Sequence, residues 1–87
     1  MTHPYTHPYA LRIAKTVAAV VGGLSGPARQ ELHQALLRAQ AQPYCWPLAD
    51  RYDLDDTVRV VTTPHAIVHY AVVPASPHLW VFAITVL

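Results

Sequence analysis

Residues 57–87 read as three apolar strands in succession, and this run decides more about the fold than any other stretch of the chain. Residues 57–62 are β-branched apart from Arg59, residues 66–73 form a second β-rich run, and residues 79–86 form a third. Thr63-Pro64-His65 and Pro74-Ala75-Ser76-Pro77 separate them, and both connections are short enough for antiparallel hairpins. A three-stranded antiparallel meander therefore closes the sequence, and it needs a second layer to bury its inner face.

The upstream half supplies that layer. Residues 14–24 carry Val17, Val20, Val21 and Leu24 at i, i+3, i+4, i+7, one helical stripe. Gly22-Gly23 ends this helix, and Ser25 caps the next one, which Pro27 begins. Residues 27–42 repeat the stripe with Leu32, Ala35, Leu36 and Ala39, and Pro43 stops them. The two helices make an αα-hairpin. A short strand at residues 9–13 precedes it. The expected class is α+β: N-terminal strand, αα-hairpin, then the meander, as a single domain over residues 9–87 behind an extended arm at residues 1–8.

In the third strand both parities are apolar. Trp80, Phe82, Ile84 and Val86 point one way and Leu79, Val81, Ala83 and Thr85 the other. One face takes the helical hairpin; the other is left for a partner, and Leu79, Val81, Ile67 and Arg59 are assigned to this partner-binding surface. Composition agrees, with 53% of residues hydrophobic and 13% charged, against about 25% charged in an ordinary soluble domain. A chain of this length buries only roughly 60–65% of its unfolded surface, so an exposed apolar face marks a binding place for a second copy or another protein.

A net charge of +1 argues against strong non-specific nucleic-acid binding, which needs many phosphate contacts at once. Cys45 is the single cysteine and has no internal disulfide partner, and no signal-peptide pattern opens the chain, so a cytoplasmic location is expected. The apolar run at residues 17–21 is far shorter than the ~20 residues that span a bilayer, and no membrane association is expected.

Few residues carry chemistry. Thr-His-Pro-Tyr occurs twice at residues 2–9, but the prolines exclude the helix that would bring His3 and His7 together around a metal. Asp53, Asp55 and Asp56 lack the glycine and the terminal glutamate of a calcium loop. Neither a metal nor a cofactor is expected. Arg59 reads either as a functional cation or as a structural ion pair with a loop aspartate. His69 reads either as an acid–base group or as a packed histidine. Tyr70 shares a strand face with Val68 and Val72 and is expected against the helices, Cys45 is taken as structural, and His65, His78 and His33 are expected in solvent or at a rim.

Element order and spacing resemble the RelE/ParE toxin superfamily of bacterial type II toxin–antitoxin systems. The second helix runs into a proline-containing loop. Thr57-Val58-Arg59-Val60-Val61 stands at the family's "Tyr-Arg-Leu-Arg" strand, Ile67-Val68-His69-Tyr70 at its "Arg-Val-Leu-Tyr" strand, and Trp80-Val81-Phe82-Ala83-Ile84 resembles its last core strand. The resemblance covers residues 9–87. It implies an antitoxin as partner, and as target either DNA gyrase, which is poisoned without catalysis, or mRNA on the ribosome. For a ribonuclease the implied set is incomplete: Ile67 stands where the middle strand carries arginine, and no basic or His-Tyr pair follows the last strand. Arg59 on the phosphate and His69 as base are the catalytic candidates, and the question of enzyme activity stays open between them. A non-toxic homodimeric interaction module is the third reading.

Overall fold

The computed structural model describes residues 8–49 and 57–87. The elements run β1 (Ala10–Ile13), α1 (Lys15–Gly22), α2 (Gly26–Ala41), β2 (Val58–Thr62), β3 (Ala66–Val73) and β4 (His78–Val86), an α+β protein. Most of the expected arm, and Asp53, Asp55 and Asp56 with it, lie outside the described residues.

The strands form one four-stranded sheet in the order β1-β4-β3-β2. β2–β3 and β3–β4 are antiparallel, as the short turns require, whereas β1 lies parallel to β4 and pairs Ala10 to Ile13 with His78 to Val81. The sheet is thus mixed. Its β2–β3 turn is held by Thr63, whose Oγ1 accepts from the backbone N–H groups of His65 and Ala66 and whose N–H donates to the Ala66 carbonyl at 2.9 Å.

Ser25 begins α2 by accepting the Ala28 N–H on its hydroxyl at 3.3 Å, next to Pro27 in the first turn. Ala28, Leu32, Ala35, Leu36 and Ala39 then turn one buried stripe toward the sheet. α1 is weaker. It has no side-chain cap, and of its expected stripe Val17 is buried, Val21 and Leu24 pack at the margin, and Val20 faces solvent.

Both helices contribute to a single core with Val61, Val68, Tyr70, Val72, Leu79 and Val81. Pro43 ends α2, and the following segment folds back onto it: the Trp46 indole N–H donates to the Ala35 carbonyl at 3.3 Å while the Arg38 guanidinium lies 5.5 Å from the Trp46 ring. Residues 47–49 then run along the outer edge of β2. There the Ala49 N–H donates to the Val58 carbonyl and the Val60 N–H to the Pro47 carbonyl, which satisfies groups that an edge strand would leave open.

Candidate functional site

β3 alternates strictly between buried and half-buried positions, so its two faces are unambiguous. Val68, Tyr70 and Val72 face the helices; Ile67, His69, Ala71 and Val73 face away. Cross-strand partners share a face. Val60 and Ala83 therefore lie beside His69, Thr62 and Thr85 beside Ile67, and Trp80 beside Ala71. Among the described residues both helices sit on the opposite side. The outer face is largely apolar, with Trp80 40% exposed.

This arrangement corrects the sequence-based assignment of β4. Leu79 and Val81, expected on the partner-binding surface, are 0% and 1% exposed and belong to the core. The reason is a register shift between His69 and Tyr70: Tyr70 pairs with Val81 but His69 pairs with Ala83, so Phe82 is an extra residue in β4. Before it the odd positions face the helices; after it Ile84 packs toward the core while Ala83 and Thr85 turn outward. Ile67 stands where it was expected. Ala83 and Thr85, expected on one side with Leu79 and Val81, face outward because of the shift, and Val60 and Trp80 are the members of this face that sequence reasoning missed, since a strand apolar at both parities gives no sign of which parity turns in.

Arg59 is corrected too. It pairs with Tyr70 and so projects on the helix side, where its Nη1–H donates to the Trp46 carbonyl at 3.1 Å and its guanidinium lies 5.0 Å from the Tyr44 ring. His69 projects from the other face, 6.3 Å from the Phe82 ring between centroids. The two catalytic candidates stand on opposite sides of the sheet, and one phosphate cannot contact both.

A shallow groove of about 630 Å³ opens on the outer face between Pro47, Leu48, Ala49, Val60, Ile67, His69 and Thr85. Its polar side chains among these are one imidazole and one hydroxyl. General acid–base cleavage of a phosphodiester needs a base, an acid and a charge stabiliser, and this lining provides at most one of them. Among the described residues no three His, Cys, Asp or Glu side chains gather as a metal set.

Tyr70, His65, His78 and Cys45 make their contacts outside this groove. The Tyr70 hydroxyl donates to the Pro43 carbonyl at 2.6 Å, and burial, with the nearby Cys45 thiol adding and Arg59 opposing, raises its pKa well above the ordinary tyrosine value. Such a phenol stays protonated. His65 is exposed, as expected, and from the surface its Nδ1–H donates to the Glu31 carboxylate of α2 at 2.7 Å. His78 Nδ1–H donates to the Ser76 carbonyl within its own turn at 2.5 Å. Cys45 is an exposed free thiol, 3.9 Å from the Arg38 carbonyl.

No helix among the described residues is long and apolar enough to cross a membrane. Comparison with models of protein families, with curated proteins and with solved structures finds no match for this chain.

Proposed function

We propose that the protein acts by binding another protein through the outer face of its sheet, as the toxin-like component of a type II toxin–antitoxin pair, with an antitoxin as partner and a gyrase-type target. The observation that carries the binding reading is the face itself. Val60, Ile67, Ala71, Ala83 and Trp80 make this face largely apolar around His69, Thr62 and Thr85, with no described helix over it, and surfaces of that kind on small domains are docking sites. The element order, a strand, a helical hairpin and a three-stranded meander, supports the toxin-like reading, because that order carried the family resemblance. Binding is favoured over ribosome-dependent mRNA cleavage by the separation of Arg59 from His69 across the sheet.

Induced expression in a bacterial host tests this. Growth arrest that is relieved by co-expressing the adjacent small open reading frame is expected, and Ile67→Asp is expected to lose the arrest or its relief while its circular dichroism stays that of the wild type. Unimpaired growth under strong expression of soluble protein overturns the toxin reading.

A further inference from the structure

We propose that the second half of β4 is a strand-addition edge and that its occupant is the same strand of a second copy, paired antiparallel about a twofold axis at Thr85. The inference stands on main-chain geometry and does not depend on the toxin reading. β1 covers only part of one edge of β4: its ladder ends at Val81, where the Ala14 N–H donates to the Val81 carbonyl and the chain leaves for α1. Beyond that point β3 is the sole ladder partner among the described residues.

The phase of the hydrogen bonds tells which groups are open. The Leu87 N–H donates to the His65 carbonyl at 3.0 Å, and antiparallel ladders alternate, so Thr85 and Ala83 direct their main-chain groups to β3. Ile84 and Val86 direct theirs outward. The other two edges are managed. Residues 47–49 occupy β2, and the outer edge of β1 is a four-residue strand that carries Arg12, preceded by Tyr9, which is held by Gln40 at 2.9 Å through both its N–H and its carbonyl. At the second half of β4 no such device exists among the described residues. There is no Asp, Glu, Lys or Arg from Val60 to Leu87, and Val86 and Leu87 are 51% and 66% exposed.

The edge is also self-complementary, which is what selects a second copy as its occupant. With Thr85 opposite Thr85 of the second copy, Ile84 exchanges both main-chain bonds with Val86 and Val86 with Ile84. Thr–Thr is a favourable directly opposed pair. The neutral strand brings no like charges together. Paired about Thr85, residues 83–87 of one copy lie opposite residues 87–83 of the other, beyond the end of the β1 ladder at Val81, and the product is one continuous eight-stranded sheet.

Thr85 is exposed, so charge placed there leaves the core untouched. Sedimentation of the 87-residue chain over a wide concentration range is expected to show a reversible monomer–dimer equilibrium. Thr85→Glu and Thr85→Lys, each placing like charges face to face, are expected to weaken the dimer about tenfold or more, and mixing the two variants is expected to restore it as a heterodimer. Val86→Pro, which removes an outward N–H, is expected to be monomeric with an unchanged far-ultraviolet spectrum. A wild type that stays monomeric throughout, or a dimer indifferent to both charged variants and to Val86→Pro, overturns the proposal.

Discussion

Replacing Tyr70 by phenylalanine removes one hydrogen bond and one titration, and the two losses carry opposite signs at high pH. Tyr70 is 0% exposed and its hydroxyl donates to the Pro43 carbonyl at 2.6 Å. Loss of that bond costs about 1–1.5 kcal/mol at neutral pH. The wild-type phenol, however, has a pKa raised by burial above its ordinary value of 10.0, so the folded state keeps its proton where the unfolded state gives it up. Its contribution is therefore complete below about pH 10 and is lost as pH climbs beyond, at about 1.4 kcal/mol per pH unit. Phenylalanine has no such slope. The variant is expected to be the less stable protein at pH 8 and to draw level with the wild type near pH 11, where the unfolded tyrosine has released about 1.4 kcal/mol. Urea unfolding followed by tryptophan fluorescence, run on both proteins at several pH values with matched m-values, reads the difference directly. A Tyr70→Phe difference that is the same at pH 8 and pH 11 refutes the reasoning, because it means the phenol titrates alike in both states.

The two faces of the sheet make a further expectation. Leu79→Ala opens a cavity in the core and is expected to cost about 2–5 kcal/mol, while Ile67→Ala on the outer face is expected to cost under about 1.5 kcal/mol; equal losses in denaturant titrations would mean that β4 is not turned as described. Deleting Phe82 leaves every other β3–β4 pair opposite its present partner, so a folded protein with a modestly lowered midpoint is expected, whereas deleting Trp80 displaces Leu79 and is expected to abolish cooperative unfolding. Thermal unfolding by circular dichroism distinguishes these, and a folded Trp80 deletion beside an unfolded Phe82 deletion would place the extra residue elsewhere.

The parts of this fold that were legible are those where one local pattern had one reading. The α2 stripe from Leu32 to Ala39 repeats at helical spacing behind a Ser-Gly-Pro start, and β3 alternates cleanly enough to send Tyr70 inward. Arg59 shows where legibility stops. It has the parity of Val61, which is fully buried, and the segment carrying Tyr44 and Trp46 folds back to meet its charge with a ring and a carbonyl. Nothing within β2 announces that segment. The parallel pairing of β1 with β4 and the clasp between His65 and Glu31 are likewise tertiary facts, set by which distant element arrives alongside.

The extra residue in β4 changes which side chains the second half of the strand turns inward. An unbroken β4 that kept Leu79 and Val81 inward would send Ala83 and Thr85 inward after them and leave Ile84 outside. The extra residue at Phe82 reverses this and lets Ile84 pack against the core. Ile84 is partly buried, so an inward isoleucine in place of an inward alanine recovers only part of the ~0.8 kcal/mol that each of its three extra carbons contributes on full burial. The bulge forfeits one ladder position, on the order of 1 kcal/mol. The two are of similar size, and the sequence that looks apolar at both parities is two patterned half-strands joined out of phase. The joint falls where β1 ends, and the same shift that turns Ile84 toward the core turns its main-chain groups, with those of Val86, toward the edge that no described strand covers.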